Sequence, residues 1–176
     1  MPSIGHIAVG LAAARLKKPP GFVPAWVWGA LLVGAACAPD IDVLAFRFGI
    51  PYGAPFGHRG ALHSPAFAGL CALTLGGAAW LLKVPPLPVV GVTGLIMASH
   101  GLLDAFTDGG LGVALLWPLS HERYFAPWRP IPVAPLGWRL LSGQGIIFML
   151  RESLIFLPAF AVALWPTRDR PGSEQR

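Results

Sequence analysis

The sequence predicts an all-α fold: a polytopic membrane helical bundle of about four to five helices with two long loops on one face. Three observations predict it. Hydrophobic residues make up 55% of the 176 residues and charged residues only 12%, against roughly 25% charged in an average soluble domain. Apolar segments close to the length of a bilayer span recur along the chain. The residues capable of chemistry stand at the ends of those segments, not along them.

The apolar segments are residues 4–16, 22–38, 65–82, 86–105 and 145–165. A spanning helix needs about 20 apolar residues, with a range of about 17–25. The last four segments reach or approach that length, and the first is short enough to be a partial or tilted span. Runs such as GALLVGAACA and GLCALTLGGAAW are dense in the small residues that let membrane helices approach closely. Pro19-Pro20, Pro85-Pro86 and Pro166 punctuate the segment ends. No internal repeat is present. Residues 1–166 read as a single membrane-embedded helical domain, and residues 167–176 as a polar, disordered tail.

The long connections are residues 40–64 and 106–144. The second carries Trp117, Trp128 and Trp138, a residue type that favours the membrane interface, so this stretch is expected to lie on or re-enter the membrane surface. The first segment resembles a signal peptide in length, but its positive residues follow the apolar run, so it reads as a retained helix. The net charge of +5 is scattered, without a basic helix or interleaved aromatics, which argues against nucleic acid as a partner. Cys37 and Cys71 form no CxxC pair and read as two buried, inert thiols.

Orientation follows from Lys and Arg. With the N-terminus outside, Arg15, Lys17, Lys18, Lys83, Arg168, Arg170 and Arg176 fall inside. Arg47, Arg59, Arg123, Arg129 and Arg139 fall outside, mostly in the long loops, which count less. This places a multi-pass protein in the plasma (inner) membrane with its long loops on the non-cytoplasmic side.

The polar residues follow the same alternation. His6 starts the first segment. Asp40 and Asp42 end the second, in APDID. His58, Arg59, His63 and Ser64 enter the third, in HRGALHS. His100 and Asp104 end the fourth, in SHGLLDAFTDGG, and Glu152 lies in the first turns of the fifth. Start, end, start, end and start all fall on one face when successive helices reverse direction. Ionisable residues in membrane segments are costly and are functional candidates by default. His100 and Asp104, at i and i+4, share a helix face and form a two-point ligand set for a divalent metal. Asp40 and Asp42 can bind a metal or hold a ligand histidine. His58 and His63 both reach the cavity only if the third helix begins near Ala61 to Ser64.

Each residue alone has a plainer reading. His6 is an interfacial histidine, Asp40 and Asp42 a helix-end cap, His100 and Asp104 a hydrogen-bonded pair, and Glu152 a partner of Arg151 or Arg139. Ser64 reads as the cap of the third helix, not a nucleophile. Thr107 and Asp108 read as shaping the turn before Gly109-Gly110. Convergence on one face is what favours a metal or catalytic cluster.

The ordered set SIGHIAVG, PDID, HRGALHS and SHGLLDAFTDGG followed by LLWPLS, from His6 to about Ser120, resembles the YdjM-like family of membrane-bound, metal-dependent hydrolases. The resemblance implies a helical membrane enzyme with Asp40, His63, His100 and Asp104 as metal ligands. It implies that His6, Asp42 and His58 are further ligands or hold the ligands in place. More distantly, the all-helical pattern resembles zinc-dependent phospholipase C, which implies phosphoester hydrolysis on several zinc ions. His121 stands where that resemblance leads one to expect a basic residue, and it reads as a solvated loop histidine.

The expected chemistry is hydrolysis assisted by one to three divalent ions, with zinc favoured by imidazole ligation. Asp42 or Asp40 would serve as general base and Arg59 would clamp a phosphate oxygen, unless Arg59 merely pairs with one of those aspartates. A site at the bilayer surface points to a lipid or lipid-linked substrate. The rival functions are a transporter or ion carrier using the same cluster, and a non-catalytic membrane adaptor.

Overall fold

The structure, a computed structural model, describes residues 3–133 and 141–165. The expected disordered tail, with Trp138 and Arg139, lies outside the described residues. The element order is α1 (Ser3–Leu16), α2 (Ala25–Cys37) continued by a 3-10 helix (Ala38–Phe48), a 3-10 turn (Ala61–His63), α3 (Pro65–Leu81), α4 (Pro86–Ala105), α5 (Gly143–Ile155) and α6 (Leu157–Leu164). Pairing outside the helices is confined, among the described residues, to the isolated bridges Thr107–Ile131 and Val113–Tyr124. The fold is thus an all-α bundle.

Among the described residues, two helical stretches are long and apolar enough to cross a bilayer, Ala25–Phe48 with 24 residues and Pro86–Ala105 with 20. The segment expected at 145–165 is instead two helices bent by 66°, and the pair counts as a third span only if taken together. Pro158 explains the break. It stands in the first turn of α6, where its missing N–H is harmless, but it cannot continue a helix from α5. The second segment runs further than expected. Helical turns continue past Ala38 as a 3-10 helix to Phe48, which ends on Gly49 at φ 73. Asp40 and Asp42 therefore stand on a helical scaffold instead of a loop. α1 and α3, with 14 and 17 residues, are shorter than a full span.

α4 is the central helix. It packs on α3 along its length and on α2, while α1 packs on α2 and α6. The core joins Trp28 and Leu32 of α2 to Val89, Ile96 and Met97 of α4 and Ala68 of α3. Outward-facing Leu73, Leu95 and Leu154 are each at least 65% exposed, an apolar outer surface that suits lipid as solvent. Cys37 and Cys71 are unpaired and only partly buried, less enclosed than expected.

One close approach fixes the site. A Cβ added at Gly101 would lie 2.0 Å from the His63 carbonyl oxygen. Only glycine lets α4 seat directly on the backbone of the His63 turn, bringing His100 beside His63. Gly91, on the same helix, has nothing within 4 Å of such an atom. Gly101→Ala is therefore expected to destabilise the protein by about 1–3 kcal/mol or more through overpacking against backbone. Gly91→Ala is expected to be neutral or slightly stabilising. Apparent melting temperatures in detergent check this, and equal melting of the two variants would remove Gly101 as the seat of the site.

Candidate metal centre

The loop before α3 delivers its side chains through tight turns. A Cβ at Gly57 would lie 2.2 Å from the Pro51 carbonyl oxygen, and one at Gly60 would lie 2.2 Å from that of Pro55. Between these glycines Arg59 adopts φ 62, an uncommon left-handed conformation for a long side chain. The surroundings hold it there. Its amide donates to Asp42 Oδ2 at 3.0 Å, and its carbonyl accepts from Ala114 N at 3.0 Å. Its guanidinium lies inside the protein: Nε sits 2.9 Å from Asp104 Oδ2, and Nη1 donates to Thr107 Oγ1 at 2.8 Å and to the Gly109 carbonyl at 2.9 Å. The turn ends in the 3-10 residues Ala61–His63. Ser64 then caps α3, its Oγ accepting from Phe67 N at 3.1 Å and donating to the Ala61 carbonyl at 2.8 Å.

Asp40, His63, His100 and Asp104 present ligand atoms that all lie within 4.8 Å of one another. His63 Nε2 and His100 Nε2 are 3.1 Å apart. Asp40 Oδ1 lies 3.6 Å from His63 Nε2 and 3.5 Å from His100 Nε2, and Asp104 Oδ2 lies 3.4 Å from His63 Nε2. Four donors about 2.0–2.1 Å from one tetrahedral ion stand about 3.3–3.4 Å from each other, so these separations match a single-ion ligand set.

Tautomers sharpen the argument. His100 Nδ1 contacts the Ala36 carbonyl at 2.6 Å. A carbonyl only accepts, so Nδ1 carries the proton and the neutral ring has a bare Nε2. His63 Nδ1 lies 3.0 Å from Asp42 Oδ2, an ion-pair contact that likewise draws the proton to Nδ1. Two lone pairs would then face each other across 3.1 Å. A cation between them satisfies both. Asp40 Oδ1 and Asp104 Oδ1 are also buried without a hydrogen-bond donor. Asp40, Asp42 and Asp104 with Arg59 leave a surplus of two negative charges, which a divalent ion cancels. The donor set fits a divalent metal.

The remaining predicted residues surround this set. His6 stacks on His100 with ring centroids 3.6 Å apart, and its Nε2 lies 3.5 Å from Asp104 Oδ1. Asp42 binds His58 Nδ1 at 2.6 Å through Oδ1 while Oδ2 serves His63 and the Arg59 amide. Asp40, Asp42, His58 and His63 form a second overlapping group with ligand geometry. The 2.6 Å contact inside it is a hydrogen-bond distance, which marks Asp42 and His58 first as a network holding His63. Arg59 pairs with Asp104, not with Asp40 or Asp42 as the plainer reading had it. Glu152 is buried and accepts from Gly5 N at 2.7 Å, so it anchors the start of α1 beside His6 instead of pairing with Arg151. Asp108 accepts from Val133 N and shapes its turn, and His121 is exposed.

Two contributors escaped the sequence reading. One is the Ala36 carbonyl, a backbone group that no residue pattern reveals. The other is Arg123. Its guanidinium donates to the carbonyls of His58 and Tyr52, each at 2.9 Å, and more distantly to those of Ala54 and Gly112. It thereby ties the second long loop to the turn carrying His58 and Arg59. Nothing in its spacing distinguishes it from the other loop cations.

A family model described as YdjM inner membrane protein matches residues 1–169. Inner membrane protein YbcI of Escherichia coli (strain K12) is 41% identical over 133 residues, covering 74% of this chain and 73% of that protein. No solved structure matches the chain at a significant level. The chain belongs to the YdjM family, and with its apolar helices it is a multi-pass inner-membrane protein.

His63 makes the centre sensitive to pH. Burial pulls its imidazole down, but the Asp104, Asp40 and Asp42 carboxylates outweigh burial and push it up to about 10. A proton thus stands in for a cation in the metal-free protein. A group raised in the folded state stabilises fully below its unfolded value, near 6.5, and loses that contribution as pH rises through about 10. In chelator, the apparent melting temperature is expected to fall between pH 7 and pH 10. Added divalent metal is expected to offset the fall, because it needs the unprotonated Nε2. Melting curves that do not move across this range, with or without metal, would contradict the assignment.

Proposed function

We propose that this YdjM-family protein is a membrane-bound, metal-dependent hydrolase acting on a phosphoester or lipid-linked substrate at the non-cytoplasmic face. The observation that carries the reading is the pair of imidazole Nε2 atoms 3.1 Å apart with carboxylate oxygens of Asp40 and Asp104 beside them. Asp40, His63, His100 and Asp104 hold the ion, with His6 and His58 as adjoining donors. Imidazole-rich ligation favours zinc. When bound, such an ion lowers the pKa of its water to about 7 and supplies hydroxide at neutral pH.

The chain's own groups do the rest. Asp42 has both oxygens engaged by His58, His63 and the Arg59 amide, which supports an orienting role. Of the two aspartates weighed as general base, Asp40 is 11% exposed and Asp42 1% exposed, which supports Asp40 in that role through Oδ2, since its Oδ1 faces the two imidazoles. Arg59 Nη2 is buried and has no hydrogen-bond partner, which supports a role in receiving a phosphate oxygen. In the reaction, water oxygen bonds to phosphorus, the phosphorus–oxygen bond to the alcohol breaks, and the departing oxygen takes a proton.

Metal analysis of protein purified without chelator, followed by a phosphoester panel, tests this. The wild type is expected to hold divalent metal, and His100→Ala and Asp104→Ala to lose it with about a 10³-fold or greater drop in turnover. Asp42→Ala is expected to weaken metal binding by about 10–100-fold. His121→Ala is expected to change neither. Absence of bound metal in the wild type together with failure to take up added zinc would end the hydrolase reading.

A further inference from the structure

α2 and α3 each pack on α4 but not on each other. A groove of about 530 Å³ lies between them, walled by Leu31, Gly34 and Ala38 on one side and Cys71 and Leu75 on the other, with Met97 of α4 at its floor. That volume is in the range of small-molecule pockets, about 300–1,000 Å³. From Ala30 to Ala38 it follows α2 for about 12 Å.

One end of the groove lies close to the metal centre along both helices. Ala38 is two residues before Asp40. Ala35 and Ala38 bracket Ala36, whose carbonyl holds His100 Nδ1. Met97 lies less than one helical turn before His100. Asp40 is also the one member of the ligand set with measurable side-chain exposure, 11% against 0% for His63, His100 and Asp104. Ala38 and Met97 at this end of the groove thus stand within one helical turn of Asp40 and His100 on the same two helical stretches. The groove's flanking helix α2 belongs to a membrane span, so its free side faces hydrocarbon, and its apolar lining offers nothing to bind except a chain.

We infer that this groove holds a fatty-acyl chain of a membrane glycerophospholipid, and that the chain's seat there brings the headgroup phosphate to the Asp40 side of the cluster. The substrate class, on the reading proposed above, is then a phospholipid entering sideways from the bilayer instead of a soluble ester from the aqueous phase. The bilayer supplies this occupant at high local concentration, and the closeness of Ala38 and Met97 to Asp40 and His100 favours a molecule with both a chain and a phosphate over a partner helix.

Gly34 gives a direct test, because a side chain added there meets nothing within 4 Å and projects into the groove without disturbing the fold. Gly91, with equally open space but outside the groove lining, is the control. Protein is reconstituted in vesicles of dioleoyl phosphatidylethanolamine and dioleoyl phosphatidylglycerol, extracted in mild detergent and examined by native mass spectrometry. The wild type and Gly91→Leu are expected to retain one phospholipid per chain through delipidation. Gly34→Leu is expected to retain at least tenfold less while holding the same amount of metal. Equal retention by Gly34→Leu and Gly91→Leu means annular lipid only and overturns the inference. A wild-type dimer that Gly34→Leu converts to monomer shows a second copy in the groove and overturns it as well. Hydrolysis is read separately on the wild type with the same lipids and with a soluble phosphoester. Specific lipid retention without any hydrolysis removes the proposed activity and leaves the groove. Hydrolysis with non-specific retention does the reverse.

Discussion

Everything in this structure is arranged around two imidazole nitrogens that face each other. His63 Nε2 and His100 Nε2 stand 3.1 Å apart, each with its ring proton drawn to the far nitrogen. In a buried setting such an encounter is unfavourable unless positive charge lies between or beside the lone pairs. The pairing is imposed by backbone. The Ala36 carbonyl on α2 orients one ring, and the absence of a side chain at Gly101 allows the other to come within reach. Turning either ring away would break its contact with the Ala36 carbonyl or with Asp42.

The loops serve the same end. Asp42 orients two histidines and receives the Arg59 amide, which keeps a left-handed arginine folded back over the cluster. Thr107 ties that arginine to the end of α4, and Arg123 binds the carbonyls of the turn from outside. Buried networks of this kind stabilise one geometry strongly when every member is satisfied and poorly otherwise. A cation here would complete a polar structure whose other members already hold one another.

Much of this was legible in the residues. Alternating helix direction placed His6, Asp40, Asp42, His58, His63, His100 and Asp104 at one end of the bundle, and the structure brings these side chains together. The Ser64 cap and the start of the third helix followed from HRGALHS. Four features were not legible. The break at Pro158 was hidden because residues 145–165 are apolar throughout, and a proline near a segment's middle reads equally as a tolerated kink. The 3-10 continuation through Asp40 and Asp42 was hidden because a polar PDID motif after an apolar run reads as a helix stop. The partner of Arg59 depended on the left-handed turn, which sequence spacing does not encode. The roles of Arg123 and Ala36 rest on contacts between distant carbonyls and donors, and carry no local signature.

Glu152 links the last part of the bundle to the first. Its carboxylate receives the Gly5 amide at 2.7 Å, one residue from His6, and Phe156 fills the space beside Gly5. Translation delivers these partners 147 positions apart, so α1 enters the membrane long before its anchor exists. A nascent chain halted after α4 already contains Asp40, Asp42, Asp104 and four of the five histidines. Its first helix, however, has neither the carboxylate nor the aromatic ring that hold it in register. The register of α1, and with it the stacking of His6 on His100, is therefore completed by side chains from the opposite part of the sequence.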